Sequence, residues 1–292
     1  MFIKHIMHNS RKRNAIIIGL GLTLALLTLP LTGTVGKGTW EKVDDGLEVG
    51  RFVVAHQAPT GDSTVVIVRI DPHIWRLELM AISEVGGTRG LSVEEWCDRY
   101  NLTAAINAGM FDIDHRTHIG YMKSGDHVNS SRVNSYKSVA AFSPLADGDP
   151  PFRIFDLDQT TLDAVRTEYG CMIQNLRLIK RPGKNVWTPQ EKRWSEAALG
   201  EDDRGRVLFI FCRSPYSMHE FNNILLSLPI GLVCAQHLEG GPEAQLYVKS
   251  GDVEIDLVGE YESGFTEGGS NDIAWPVPNI IGVVKRTAAP GR

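Results

Sequence analysis

The chain has 292 residues, of which 42% are apolar and 22% charged, and its net charge is −5. That balance fills a core, suits one large domain or two small ones, and excludes a disordered chain. No basic stripe lies beyond the N-terminus, so no nucleic-acid partner is expected.

The first predicted element is N-terminal. Lys4, Arg11, Lys12 and Arg13 precede an uncharged run over residues 14–36, rich in Ile and Leu. A positive flank followed by an apolar run reads as a signal peptide or signal anchor over residues 1–36. The run approaches the ~20 residues that span a bilayer. The basic side then stays in the cytoplasm, and residues 37–292 lie outside it, periplasmic or otherwise extracytoplasmic, membrane-anchored or secreted. A membrane partner is expected through this segment alone.

Residues 47–81 read as an antiparallel meander of three strands, with turns at Thr60-Gly61-Asp62 and Asp71-Pro72-His73. Ser92 and Glu95 form a capping box that opens a helix ending at Asn101, with Val93, Trp96, Cys97 and Tyr100 on one face. A small-residue strand follows and ends at Asn107, Gly109 and Phe111. Asn107 at a strand end can fix a sugar hydroxyl or phosphate oxygen, or simply cap a turn. The loop behind it holds Asp112, Asp114, His115, Arg116 and His118, a weak metal pattern that reads better as a solvated loop.

Residues 138–142 and 152–155 read as strands, 162–168 as a helix ended by Gly170, and 171–179 as one strand interrupted by Gln174 and Asn175. Those two amides face opposite sides, so at most one lines a given cleft. Residues 193–212 form a hairpin turning at Gly205. Arg193 and Ser195 share a face at period two, and Arg213 and Ser214 repeat the pairing; a guanidinium beside a hydroxyl suits a phosphate or carboxylate, or a surface ion pair. Ser217 and Glu220 form a second capping box, opening a helix that Pro229 closes.

Residues 232–248 are the richest stretch. A buried strand ends at His237 and Glu239, and Gly240-Gly241-Pro242 turns the chain into a second strand. A carboxylate and an imidazole at such a mouth are candidates for chemistry, and Gly-Gly allows close approach of a ligand or of backbone. Residues 260–271 are Gly- and acid-rich, and 279–284 read as a final buried strand. Cys97, Cys171, Cys212 and Cys234 are too widely spaced for a zinc cluster; an exported chain could cross-link them, but Cys212 and Cys234 read as small buried hydrophobes. The predicted class is α+β: a mixed, largely antiparallel sheet core with a few packed helices.

The order of these motifs resembles the phosphodiester glycosidase domain, the family related to the enzyme that removes N-acetylglucosamine to uncover mannose 6-phosphate. The motifs are Asn107-x-Gly109-x-Phe111 with Gly120 downstream, the Arg193-x-Ser195 hairpin with Gly205, the Leu238-Glu239-Gly240-Gly241 turn and the closing Ile-Gly-Val strand. The resemblance spans residues 47–284. Here Glu239 stands where the family usually has Asp, and Pro242-Glu243 where a serine usually follows.

The resemblance implies hydrolysis at an anomeric carbon whose leaving group is a phosphodiester, with a carbohydrate or sugar-phosphate substrate and no cofactor. Glu239 would act as general base or stabilise an oxocarbenium-like transition state. Arg193 and Arg213 would neutralise the departing phosphate. Asn107, Ser195 and His237 would position sugar and phosphate oxygens, with Asn175, Gly109, Gly240 and Gly241 completing the substrate site. Two other readings stand beside it: an envelope or exopolysaccharide-associated protein that binds glycan without catalysis, and a hydrolase built on Cys234 and His237.

Overall fold

β-Branched and aromatic runs dominate this chain, and among the described residues every strand pairing is antiparallel. The computed structural model describes residues 37–262 and 273–287. The described residues all fall in one compact unit. The expected signal or anchor helix over residues 1–36 lies outside the described residues, and no described helix is long and apolar enough to cross a membrane.

Three sheets enclose one shared core. The largest has eight strands, with Thr64–Ile70, Val207–Tyr216, Trp194–Asp202 and Leu232–Gly240 adjacent at its centre. Two five-stranded sheets face it. One is built around Ala104–Asn107 and Asn279–Lys285, the other around Tyr169–Asn175 and Ser138–Pro144. Val68, Phe209, Ile106, Leu246, Ile173 and Phe142 meet where the three converge. Alternation in the central strands is apolar on both faces: Phe209 and Phe211 point into the shared core, while Leu208 and Ile210 point to the opposite face. That is why these strands read as continuous apolar runs.

Each described helix covers the outer face of a different sheet. Val93–Tyr100 lays Trp96 and Cys97 against Ala105, Tyr247 and Ile280. Leu162–Glu168 lays Leu162 and Val165 against Val139 and Met172. Met218–Ser227 lays Phe221 and Leu225 against Ile67, Leu208 and Ile210. Both expected capping boxes form: Ser92 with Glu95, and Ser217 with Glu220. Asn101 ends the first helix in the left-handed region, which Asn tolerates.

Three sequence expectations are corrected. Trp75–Ala81 does not continue a meander. It leaves the large sheet and pairs with Asn279–Lys285, because Val207–Tyr216 already occupies the free edge of Thr64–Ile70. Residues 171–179 are two strands, Tyr169–Asn175 and Arg177–Lys180, which belong to different sheets and part at Leu176. Gly170 does not end the helix before it. Tyr169 leaves that helix already extended, and Gly170 lies within the following strand.

Candidate active site

The strand Leu232–Gly240 runs between Trp194–Asp202 and Arg177–Lys180. Its register against Trp194–Asp202 slips by one residue: Ala197 faces Glu239, but Ala198 faces His237. Leu238 is the extra residue of this bulge and is buried in the shared core. His237 and Glu239 both line a cavity of about 350 Å³. A bulge that re-aims side chains beside a cleft is a recurrent device of functional sites.

The walls are chemically divided. Phe111, Trp187 and Trp194 supply aromatic surface, of the kind that packs on the apolar faces of a sugar ring. Glu239, Glu243 and Glu262 supply carboxylates, and His237 the one ring nitrogen pair. Gly240 and Gly241 form the floor. A side chain at Gly240 would come within 2.4 Å of Trp194 Cδ1, and Gly241 holds φ +65, so both positions require glycine for packing or for backbone.

His237 is fixed from behind. Its Nδ1 lies 2.6 Å from Oε1 of the buried Glu196. The other oxygen of Glu196 accepts from Trp194 Nε1 at 2.7 Å. Burial disfavours the imidazolium, but the Glu196 carboxylate beside it prevails, and His237 holds its proton above the usual imidazole range. With Nδ1 engaged, Nε2 is the nitrogen left to meet a ligand. Burial likewise raises the Glu196 carboxyl, against the opposing pull of His237 and Trp194.

Glu239 is enclosed by protein apart from its face to the cavity. Loss of water around it pushes its carboxyl up to about 7, despite His237 and the Gly240 N–H, which donates to Oε1 at 3.1 Å. Glu243 is raised too, first by burial and then by Glu262. Oε2 of Glu243 and Oε2 of Glu262 both lie within 4 Å of where a Gly241 side chain would begin. The arrangement therefore places an acid poised near neutrality beside an oriented imidazole, in a pocket with aromatic walls. Such a pair can move a proton in either direction at neutral pH.

The remaining sequence-expected residues stand elsewhere, and none of them lines the cavity. Arg193 makes a two-pronged ion pair with Glu220, at the start of the helix Met218–Ser227. Nε and Nη2 of Arg213 donate to Glu260 at 3.1 and 2.9 Å. Ser195 is buried; its hydroxyl donates to Arg213 O at 2.5 Å and accepts from the N–H groups of Glu260 and Tyr261. Asn107 Oδ1 accepts from Gln245 N at 2.9 Å, joining two strands. Asn175 Nδ2 donates to Ala108 O at 3.3 Å and lies under Gly109, where a side chain would come within 2.5 Å of it. Gln174 is bonded to Asn134, Tyr136 and Tyr121. In the loop behind Asn107, Asp112 pairs with Arg132 and Asp114 caps Arg116 and Thr117. Among the described residues no group of three or more His, Cys, Asp and Glu side chains is placed to hold a metal.

Glu196, Trp194, Trp187, Glu243 and Glu262 were not singled out from sequence. A carboxylate inside the small-residue run Ser195-Glu196-Ala197-Ala198 was a usable signal, because an acid is seldom buried without a partner. The four cysteines are all free thiols. Burial pushes the Cys234 thiol up to about 12, and it does not line the His237 cavity, so a Cys234–His237 hydrolase is set aside.

A family model described as phosphodiester glycosidase matches residues 100–284. No curated protein matches the sequence. Among solved structures, the zebrafish N-acetylglucosamine-1-phosphodiester alpha-N-acetylglucosaminidase catalytic domain, auto-inhibited by its pro-peptide, is similar at 12% identity and TM-score 0.59, over 86% of this chain and 89% of that one. A hypothetical protein from Synechocystis is similar at 15% identity and TM-score 0.56, over 86% of this chain and 64% of that one. At these identities the likeness is one of fold.

Proposed function

Given that the chain belongs to the phosphodiester glycosidase family, we propose that it is a hydrolase that cleaves the bond between an anomeric carbon and a phosphodiester in a sugar-1-phosphodiester or related envelope glycan. The observation that carries this reading is the cavity in which Glu239 stands with His237, whose ring Glu196 orients from behind. In the ionised state Glu239 takes a proton from water as that water attacks the anomeric carbon. The carbon–oxygen bond to phosphate breaks, and its electron pair leaves on the phosphate oxygen. Nε2 of the His237 imidazolium donates to that oxygen, and Glu196 balances the charge behind it. An aligned clamp of this kind can remove several kcal/mol from a barrier. Trp187 and Trp194 would hold the sugar ring.

This assignment differs from the sequence expectation in one role. His237, rather than Arg193 or Arg213, carries the positive charge that meets the leaving group. Export, with residues 1–36 as signal peptide or anchor and residues 37–292 as the glycosidase domain, is part of the proposal and is supported by Lys4, Arg11, Lys12 and Arg13 ahead of the apolar run.

A panel of sugar-1-phosphodiesters incubated with the protein tests the reading through released free sugar. We expect release by the native chain and none by Glu239→Gln at unchanged thermal stability. Absence of release from every diester would overturn hydrolysis. A second reading, glycan binding without turnover, is favoured by the absence of both arginines from the cavity wall; the same panel would then show ligand bound and uncleaved.

A further inference from the structure

A second polar pocket, of about 120 Å³, opens beside Cys234 on the same strand that carries Glu239. The two positions are five steps apart along the strand, on the order of 16 Å of extended chain. Four cations line it: Arg153, Arg177, Lys180 and Arg181. Asp156 is the sole acid in the lining.

Three of the cations already have partners. Arg177 pairs with Asp156 and Asp158, Lys180 pairs with the same two, and Arg181 pairs with Glu201 at 2.6 Å. Three of the four positive side chains thus share three carboxylates, with Lys137 also on Asp158, and in the lining itself four cations face one carboxylate. Arg153 makes no ion pair among the described residues, although it stands half-buried at this wall. Nε of Arg177 is a buried N–H that meets no acceptor among them either. A buried donor without an acceptor is rare in folded proteins, and one in a lining of four cations and one carboxylate signals a place for an anion. Oδ2 of Asp156 is likewise buried without a hydrogen bond among the described residues, and Arg153 also borders the adjoining pocket lined by Asp149, Glu201, Asp202 and Asp203. Gln159 and Thr160 add neutral polar groups at the rim.

We propose that this pocket binds a small oxyanion, namely phosphate or the phosphoryl group of a phosphorylated sugar, with Arg153 and Arg177 Nε as its principal donors. Guanidinium groups present the forked N–H geometry that phosphate oxygens take up, and the pocket is small enough to select the group rather than a whole glycan. The proposal rests on these side chains and is independent of the hydrolysis proposed above.

The test is isothermal titration of the full chain with inorganic phosphate and, separately, with glucose 6-phosphate, at an ionic strength held constant with chloride. We expect saturable phosphate binding that weakens about tenfold or more in Arg153→Gln, the loss of one charged hydrogen-bonding partner. Arg153→Lys should fall between the two, and Glu239→Gln should bind phosphate as the native chain does. Thermal melts without phosphate check that Arg153→Gln folds normally. Binding of both ligands assigns the phosphoryl group of a sugar; binding of phosphate alone assigns the free anion. No saturable binding, equal binding by Arg153→Gln, equal binding of acetate, or a loss confined to Glu239→Gln would each overturn the proposal.

Discussion

Two alternating pairs at the start of one strand have opposite fates. Arg193 and Ser195 turn to the scaffold: one anchors Glu220 at a helix start, the other pins the backbone of Glu260 and Tyr261. Trp194 and Glu196, one residue out of phase, turn the other way: Trp194 lines the cavity and donates to Glu196, which holds His237 from behind. Each pair holds one charged side chain and one hydrogen-bonding neighbour, so the presence of a charge alone does not separate a site group from a structural one. The parity of the strand does.

Breaking the cavity pair should be felt first as lost activity. Glu239→Gln is expected to lower kcat/KM by on the order of 10³-fold, measured as sugar release, with little change in melting temperature. Native activity should rise with pH through about 7, as Glu239 loses its proton, and fall again above the raised titration of His237. Glu196→Gln removes the carboxylate that holds the proton on His237. The falling limb should therefore move to lower pH, with a rate loss of about 10²-fold. A rate loss with no movement of that limb would show that Glu196 acts by packing alone.

Breaking the scaffold pair should be felt as stability instead. Ser195→Ala strands the buried N–H groups of Glu260 and Tyr261, which is expected to destabilise by about 3 kcal/mol in urea unfolding, while activity per folded molecule changes little. Arg193→Ala gives the smallest effect, about 1 kcal/mol, because its ion pair with Glu220 is roughly one-third exposed and solvent screens it. A large activity loss in either variant, without unfolding, would return these residues to the site and erase the contrast.

Much of the fold was legible because it is local. The capping boxes at Ser92 and Ser217 announce their helices, and the apolar runs at 64–70 and 207–212 announce strands buried on both faces. Partnership was not legible. Trp75–Ala81 pairs with a strand some two hundred residues later, which no nearby turn reveals. Glu239, His237, Gly240 and Gly241 were readable as one cluster because they share a single turn. Glu196 is not legible at period two from Arg193, because it lies on the opposite face of that strand. Asn107 and Asn175 have the residue type of ligand-binding amides; each makes one bond to backbone, while Nδ2 of Asn107 and Oδ1 of Asn175 are buried without a partner among the described residues.

The unmatched residue at Leu238 has a consequence for how this strand can tolerate length change. A chain one residue shorter there would restore regular pairing opposite Ala197 and Ala198, but at the expense of direction: whatever followed would swap inside for outside. The acid that meets the pocket would be turned toward oil, and a leucine's neighbour toward water. A single deletion here should therefore silence the pocket even with every one of its side chains still present in the sequence.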